Sequence, residues 1–301
     1  MDAKTLYKQK DRLVRGITNK GDFKIAVVKT THVVREVSRR HNLSLLNKVI
    51  LGRALTGVAL LASEMKGEER AQLRIESNGP IGMLVAEANS VGEIRGYVQN
   101  PQADLPPEEL GENLGAGLGN GILYYSKTLY NHAKPRTSTI ELQKGDVTQD
   151  LAFLLYQSEQ VPSGIKLDVG IDEEGEISSA GGVLVQKLPS ASDTRIEEIQ
   201  ENLENMQPLN KILAKGKYVD RIMQDALQPF EVRELNRYPV DFFCRCSKKR
   251  FKNALSLISY EELKEMTEEP QELVCHYCNE HYTISSMEID EIAEKAKAKL
   301  N

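Results

Sequence analysis

Four cysteines near the C-terminus constrain the fold of this chain more than any other feature of its sequence. They form a CxC pair and a CxxC pair on either side of residues 247–274: Cys244, Cys246, Cys275 and Cys278. Structural zinc sites use four soft ligands in a tetrahedron, and each short pair can direct two sulfurs at one ion. The spacing therefore predicts one Zn²⁺ held by four thiolates. A site closed in this way has no open position for water, which indicates a structural or switching role rather than hydrolysis.

Two histidines next to the second cysteine pair, His276 and His281, are alternative metal ligands. Because four thiolates already complete a tetrahedron, we expect both imidazoles on the surface. The CxxC pair is also typical of thioredoxin-like redox sites, but those follow a strand of a parallel sheet, and no such setting is evident here. Four unrelated buried thiols are a further alternative, which the pairing disfavours.

The composition predicts a globular protein with more than one folded part. A chain of 301 residues exceeds one ordinary core, so we expect two domains, or one large domain with an appendage. A formal net charge of -5 and a pI of about 5.7 argue against a general nucleic-acid binder. A basic patch at residues 245–252 leaves local contact with RNA open, although we interpret it as a solvated helix face.

The sequence predicts a cytoplasmic protein without a membrane segment. Residues 1–8 lack an apolar run of signal-peptide length. The most apolar stretch, residues 45–65, contains Lys48 and Arg53, and it predicts a buried helix rather than a membrane span. Thiols stay reduced in the cytoplasm, where clustered cysteines indicate metal or redox chemistry.

Residues 1–189 are predicted to form an α+β domain. Short β-prone segments are separated by turn-forming segments such as 77–80 and 172–175, which is typical of a meandering antiparallel sheet. We predict a helix capped by Thr31 and helices over 45–65 and 147–157, all packed on the sheet. The predicted strands are 23–30, 71–76, 83–88, 94–99, 122–129, 138–142, 165–171 and 182–188.

No pattern typical of a catalytic site stands out. Glycines at alternate positions from Gly115 to Gly121 form a GxGxGxG run, but a β-prone segment follows where a nucleotide-binding helix should begin. We interpret this run as a flexible loop. The sequence also has no Walker loop, nucleophile elbow or HExxH motif, so we predict that the chain is not an enzyme.

Residues 190–240 are predicted to be a helical linker. Thr194 and Glu197 match a capping box, and Pro208 and Pro229 end two predicted helices. Short amphipathic helices are marginal alone and need a surface to dock on, although an ordinary linker is the simpler interpretation. Their apolar stripes are Ile196, Ile199, Leu203 and Met206, then Val219, Ile222, Met223, Ala226 and Leu227.

Residues 241–301 are predicted to be a small zinc-binding module that depends on its metal. A core of this size is marginal, and structural zinc contributes on the order of 10–16 kcal/mol of apparent binding energy that becomes folding energy. The thiolates are also open to oxidation, which would remove them as ligands. The predicted core residues are Phe242, Phe243, Leu255, Leu257, Ile258, Leu263, Val274, Tyr282 and Ile284.

Six segments of the chain match one known family in the order in which that family carries them. The segments with the cysteines are 243–251 and 274–282, and the others are 78–82, 92–101, 158–163 and 180–186. On these motifs the chain resembles the redox-regulated heat shock protein 33 family, also called the 33-kDa chaperonins. The resemblance covers essentially the whole chain.

The resemblance implies an ATP-independent chaperone that holds unfolding proteins. In this family the reduced, zinc-bound form is inactive, and oxidation forms disulfides that by motif match are Cys244–Cys246 and Cys275–Cys278. The resemblance also implies that zinc leaves, that the linker unfolds, and that a homodimer binds unfolded client proteins before ATP-dependent chaperones receive them. Because a CxC disulfide closes a small ring, we expect it to be strained and easily reduced.

Two functions from other classes stay open on the sequence. A zinc-ribbon protein of the nucleic-acid-binding or translation-associated kind would use the basic residues Lys248, Lys249 and Arg250. A thiol oxidoreductase would turn over disulfides at the cysteine pairs. Suppression of client aggregation, salt-dependent RNA binding and disulfide turnover distinguish the three functions.

Overall fold

Contacts along the chain separate two units, Met1–Phe243 and Cys244–Asn301. The structure is a computed structural model, and it describes residues 10–106, 108, 113–132, 134–216 and 219–300. Residues 1–9 lie outside the described residues, and with them residues 1–8, for which the sequence predicts no signal peptide. Each unit has its own hydrophobic core.

The first unit mixes antiparallel strands with helices, which confirms the predicted α+β class. Its strands are β1 (Arg12–Thr18), β2 (Phe23–Lys29), β3 (Arg70–Ser77), β4 (Met83–Asn89), β5 (Glu93–Val98), β6 (Gly121–Thr128), β7 (Arg136–Glu141), β8 (Ser163–Ile171), β9 (Ile177–Lys187), β10 (Val232–Pro239) and β11 (Asp241–Phe242). Its helices are α1 (Thr31–His41), α2 (Leu45–Ala62), α3 (Val147–Gln157), α4 (Asp193–Asn205), α5 (Leu209–Ala214) and α6 (Val219–Ala226).

Among the described residues, these strands form a five-stranded sheet in the order β10-β1-β2-β9-β8 and a six-stranded sheet in the order β11-β5-β4-β3-β6-β7. Helix α2 contacts strands of both sheets, and Ser44 caps it by accepting a hydrogen bond from the backbone N–H of Asn47. The helix is long and apolar enough to cross a membrane, but 78% of that apolar window is buried inside the protein. The prediction of a buried core helix is therefore confirmed.

Helices α4, α5 and α6 cover the face of the five-stranded sheet that lies opposite α2, here named the outer face. The apolar stripes predicted for α4 and α6 are buried there, with Met206 only partly buried. The predicted capping box is wrong, because α4 begins after Ser192 and has no side-chain cap. The sheet residues of the outer face are Val14, Phe23, Ile25, Val27, Val183 and Val185.

Two paired strands, β1 and β10, are absent from the sequence predictions. Strand β10 falls within the predicted helical linker, yet it forms the edge of the five-stranded sheet. Five consecutive residues of β10 are exposed, from Arg233 to Arg237, so the alternation that predicts a strand is missing. The glycine run is also more ordered than predicted, since Leu114–Gly117 is a 3-10 helix and Leu118 is fully buried.

A carboxylate distant in sequence caps helix α1, whereas the sequence predicts capping by Thr31. The Asp11 carboxylate accepts hydrogen bonds from the backbone N–H groups of His32 and Val33, at 2.6 and 3.0 Å. Burial raises the pKa of Asp11 to about 7, although these two hydrogen bonds and the Lys29 ammonium oppose the shift. A carboxylate at a helix N-terminus compensates the unpaired N–H groups of the first turn.

We expect Asp11→Asn to remove a pH dependence of stability. The folded protein binds the Asp11 proton more tightly than the unfolded chain does, so this stabilising contribution is complete below pH 3.8 and is lost as the pH rises through about 7. The stability of the variant relative to the wild type should therefore rise by ~2–4 kcal/mol across that interval. Urea unfolding of both proteins at matched pH values measures this difference, and a constant difference would contradict the prediction.

The second unit contains α7 (Lys248–Leu255), α8 (Tyr260–Glu265), β12 (Gln271–Val274), β13 (His281–Ile284) and α9 (Ser286–Leu300). Half of its small core comes from α9, which the sequence analysis does not predict. The predicted core position Leu257 is wrong, because 87% of this side chain is exposed beyond the end of α7. Val274 is 36% exposed, and Phe243, which belongs to the first unit, is 47% exposed. The buried core residues are Leu255, Leu263, Ile284, Ile289, Ile292 and Ala293.

Candidate metal centre and linker surface

The CxxC pair lies in the tight turn that joins β12 to β13. The backbone N–H of Cys275 donates to the carbonyl of Glu280 at 2.9 Å, and the N–H groups of Cys278 and Asn279 donate to the carbonyl of Cys275 at 3.3 and 2.8 Å. Asn279 has a φ of 55°, a left-handed conformation that asparagine tolerates better than most residues. These bonds hold the two buried cysteines close together in a short turn.

The CxC pair precedes α7, whose N-terminus is capped by Ser247 through a hydrogen bond from the backbone N–H of Arg250. The Sγ atoms of the four cysteines, Cys244, Cys246, Cys275 and Cys278, all lie within 4.8 Å of one another. Two residue pairs separated by a long segment of sequence therefore form one cluster, as the spacing predicts.

The cluster fits a tetrahedral metal ion. Zinc–sulfur bonds of ~2.3 Å place the sulfurs of a tetrahedral site about 3.8 Å apart. The Sγ atoms of Cys244 and Cys275 are 3.7 Å apart, and those of Cys246 and Cys278 are 3.2 Å apart. Four thiols at this spacing form a donor set suited to a soft or borderline ion, of which zinc is the commonest in such sites.

The electrostatics of the cluster also favour a cation. Burial raises the pKa of Cys275 and, more strongly, the pKa of Cys278. Burial raises the pKa of Cys246 as well, but hydrogen bonds from Tyr282 and the other cysteines outweigh it and bring this pKa below its usual value. Without a cation one sulfur ionises at the expense of its neighbours, so four thiolates together require a positive charge among them.

Tyr282 is a neighbour of the cluster that the sequence analysis assigns only to the core. Its hydroxyl lies 3.2 Å from Sγ of Cys246, and its ring packs against Phe251 with centroids 5.2 Å apart. The hydrogen bond to Cys246 raises the pKa of Tyr282. Sequence spacing gives little indication of this contact, because Tyr282 and Cys246 are 36 positions apart.

The histidines and the basic patch lie outside the sulfur cluster. His281 contacts Glu272 through Nδ1 at 3.0 Å, and the group of possible metal ligands found among the described residues includes neither histidine. Within the basic patch, the ammonium groups of Lys248 and Lys252 contact the Glu288 carboxylate at 2.7 and 2.8 Å. Two of the five basic residues predicted for RNA contact therefore share one carboxylate within the unit.

Two charged residues of β8 hold the junction between α4 and α5. The Lys166 ammonium donates to the carbonyls of Leu203 and Met206, at 2.8 and 3.0 Å. The Asp168 carboxylate accepts from the backbone N–H of Leu209 at 2.6 Å. A cation at one helix C-terminus and an anion at the next N-terminus both oppose the local backbone charge. The sequence analysis does not identify Lys166 and Asp168 as functional residues, because their partners lie about forty positions away.

Glycines lie beneath one apolar side chain of each linker helix. A Cβ added to Gly164 would lie 2.8 Å from Leu203 of α4, and one added to Gly16 would lie 2.8 Å from Met223 of α6. At Gly181 the added atom would lie 2.6 Å from Leu213 of α5. The linker helices can therefore dock closely because glycine leaves these three positions of the sheet without a side chain.

Comparison with known proteins gives one consistent result. The family model described as Hsp33 protein matches residues 11–285. The 33 kDa chaperonin of Carboxydothermus hydrogenoformans is 38% identical over 288 residues, which cover 95% of this chain and 99% of that protein. The 33 kDa chaperonin of one strain of Thermus thermophilus is 37% identical, with 95% of this chain and 87% of that protein covered.

A solved structure agrees with these relatives. The crystal structure of the 33 kDa chaperonin from Thermotoga maritima, a heat shock protein 33 homologue, matches with a TM-score of 0.88 at 30% sequence identity. The match covers 96% of this chain and 100% of that one. Family model, relatives and fold agree, and the chain belongs to the Hsp33 family of chaperones.

Proposed function

We propose that this chain is a redox-regulated, ATP-independent holdase, which binds unfolding proteins under oxidative stress and is inactive when reduced and zinc-bound. One observation carries the redox part of the proposal: four thiols lie within 4.8 Å of one another in a unit with a small apolar core. Such a core needs a cross-link to stay folded. The residues that supply the cross-link are also the residues that oxidants attack.

In the reduced state the chain supplies four thiolate ligands from Cys244, Cys246, Cys275 and Cys278. Zinc, when bound, supplies the positive charge that compensates these thiolates, and it joins the CxC segment to the β12–β13 turn. The hydrogen bonds of the β12–β13 turn hold Cys275 and Cys278 in place for this role. The Tyr282 hydroxyl, 3.2 Å from Sγ of Cys246, stabilises this sulfur through a hydrogen bond.

Oxidation would convert the four thiolates to two disulfides. Each disulfide forms when one thiolate attacks the peroxide, gives a sulfenic acid, and is then attacked by its partner. Each pair loses two electrons to one hydrogen peroxide, which takes up two protons and leaves as two waters. A disulfide sulfur is a poor metal ligand, so the cross-link is lost and the unit loses its folding energy.

We propose the disulfide pairs Cys244–Cys246 and Cys275–Cys278, on the basis of the family resemblance. Every pair of sulfurs lies within 4.8 Å, so pairs between the two segments are also within reach. Proteolysis of the oxidised protein followed by mass spectrometry distinguishes the pairings. A peptide that links 244–246 to 275–278 as the major product would contradict our assignment.

Unfolding of the metal-binding unit would release the linker, because the linker helices are short and marginal alone. We assign residues 1–189 to a chaperone core, 190–240 to a metastable linker and 241–301 to the redox switch. Release uncovers the apolar outer face now covered by α4, α5 and α6. An exposed apolar surface of this kind binds other apolar chains.

We place this activity in the cytoplasm, where reducing conditions maintain the inactive state until oxidants accumulate. The partners that we propose are unfolded client proteins, a second copy of the chain in the active state, and ATP-dependent chaperones that receive the client. The activity is binding, and we assign the chain no catalytic residue.

An aggregation assay tests the proposed function directly. Thermal aggregation of a model client is followed with the reduced protein and with the peroxide-treated protein, while a chromogenic chelator reports released zinc. We expect suppression of aggregation only after oxidation, together with release of one zinc ion per chain. Equal suppression by both forms would exclude the redox switch, and no suppression by either form would exclude the holdase.

The nucleic-acid-binding alternative receives less support from the site. Lys248 and Lys252 are paired with Glu288, which leaves fewer free cations for phosphate contacts. Salt-dependent RNA binding by the reduced protein, lost in a Lys249→Gln, Arg250→Gln variant, would favour that alternative.

A further inference from the structure

Strand β10 pairs with β1 through its backbone and adds few side-chain contacts, chiefly those of Val232, Tyr238 and Arg237. It is the edge strand of the five-stranded sheet, and it pairs with β1 from Val232 to Pro239. Only Val232 and Tyr238, near its two ends, are partly buried, and the residues between them are exposed. An edge strand with so few apolar contacts is held weakly and opens more readily than the strands inside the sheet.

Most side chains of β10 are polar and do not extend the apolar outer face; of these residues, only Val232 packs on it. In the antiparallel register, Arg237 lies opposite Val14, and Glu234 lies opposite Gly16. Residues directly opposite each other share one face of the sheet, so β10 places two charges beside the apolar outer face. There they pair with each other, and Arg237 also contacts Asp220 of α6 at 3.2 Å. Val14 is fully buried and belongs to the cluster beneath the linker helices. An extended chain with apolar residues at these alternate positions would contact Val14 better than β10 does.

Strand β1 directs a row of backbone N–H and C=O groups toward β10. The N–H of Asn19 donates to the carbonyl of Glu231, and the carbonyl of Asp11 accepts from the N–H of Val240. Antiparallel strands direct alternate residues to the same neighbour, so Leu13, Arg15 and Ile17 also direct their backbone groups toward β10. Departure of β10 would leave these groups unpaired at the margin of the apolar outer face.

We propose that the edge of β1, once β10 has left with the linker, binds an extended segment of an unfolded protein as an added antiparallel strand. The proposal rests on the proposed function, and it adds the binding mode and the class of segment that is preferred. Backbone hydrogen bonds provide binding that is independent of sequence, and alternate apolar side chains of the client cover the outer face next to Val14. The client segment takes the place of β10. Because β10 carries charged residues at these positions, we expect it to compete only weakly with the client for β1.

Hydrogen exchange of backbone amides in the full-length protein tests the proposal. The probe is a reduced and carboxymethylated model protein, which stays unfolded without denaturant. In the oxidised protein alone, we expect fast exchange at the amides of Leu13, Arg15 and Ile17. Addition of the probe should slow exchange at these amides by at least about tenfold. The amides of Val14 and Gly16 face β2 instead, and they should stay protected throughout as internal controls.

The possible outcomes distinguish a failure of strand addition from a failure of the proposed holdase function. If the probe co-elutes with the oxidised protein while the three amides continue to exchange fast, strand addition is wrong and the holdase function stands. Protection of these amides in the oxidised protein without the probe would show that β10 stays in place, which also overturns strand addition. If the amides of α4 and α6 stay protected and the probe does not bind, the proposed function itself fails.

A variant of β10 provides a second measurement. Replacement of the two charges, Glu234→Thr and Arg237→Val, should make β10 a better partner of β1 and a stronger competitor. We expect unchanged zinc release and release of α4, but roughly threefold weaker binding of the probe. The matched control is Arg237→Lys, which keeps the charge and should bind the probe as the wild type does. Equal probe binding by the double variant and the control would contradict strand addition.

Discussion

Removal of the metal with a strong chelator is expected to unfold residues 244–301 and to release the linker at residues 190–240, while the rest of the first unit stays folded. Among the residues that the structure describes, the core of the second unit has six buried apolar side chains, and the cysteine cluster joins the CxC segment to the β12–β13 turn. A structural zinc ion contributes on the order of 10–16 kcal/mol of apparent binding energy to folding, which exceeds what so small a core supplies. Hydrogen exchange should show full loss of protection in α7, α8 and α9.

The double variant Cys275→Ser, Cys278→Ser should reproduce this result without a chelator, because it removes two of the four thiolates. The matched control is Leu257→Ser, which changes a side chain that is 87% exposed and should leave the unit folded. Persistence of protected amides in α9 after metal removal would show that the apolar core is sufficient by itself, and it would contradict the assignment of the metal as the main stabilising element.

Gly164→Val is expected to activate the protein without oxidant. A Cβ at this position would lie 2.8 Å from Cδ1 of Leu203, and the next nearest side chains, Gln200 and Ile199, also belong to α4. Valine is favoured in strands, so β8 should persist while α4 is displaced. Overpacking of this kind costs about 1–3 kcal/mol, a large fraction of what holds a marginal helix in place. We expect the reduced, metal-bound variant to suppress client aggregation.

Two further variants separate this effect from general destabilisation. Gly182→Val introduces a side chain toward the inner core, where an added Cβ would lie 2.7 Å from Leu167 and 2.9 Å from Thr56. It should lower the melting temperature without selective release of α4. Conversely, Leu203→Ala combined with Gly164→Val restores space and should return the reduced protein toward inactivity. Normal protection of α4 amides in Gly164→Val would show that the glycine is not needed for docking.

The cysteine cluster is predictable from the sequence because the signal within each pair is local. The CxxC pair lies within one short turn and the CxC pair lies in the segment just before α7, so spacing alone identifies both pairs. The apolar stripes of α4 and α6 are predictable for the same reason, since helical periodicity is a property of neighbouring residues. Assignment of a redox-switched chaperone needed the family resemblance in addition.

The features that escape prediction depend on distant partners. Strand β10 lacks alternation because it lies at an edge and is exposed on both faces, and only its pairing with β1 reveals it. Lys166 and Asp168 look like ordinary strand residues until the ends of α4 and α5 meet them. The cap of α1 comes from Asp11, about twenty positions earlier, so a local capping rule assigns it to the wrong residue.

The glycines beneath the linker also determine how selective the uncovered surface is. At Gly16, Gly164 and Gly181 the sheet has shallow depressions, where the depth comes from the absence of a side chain. Deep pockets recognise particular side chains, whereas a flat apolar surface with shallow depressions accepts many shapes. Once α4, α5 and α6 have left, we therefore expect this surface to discriminate little between clients. A protein that meets whichever polypeptides happen to unfold benefits from such tolerance.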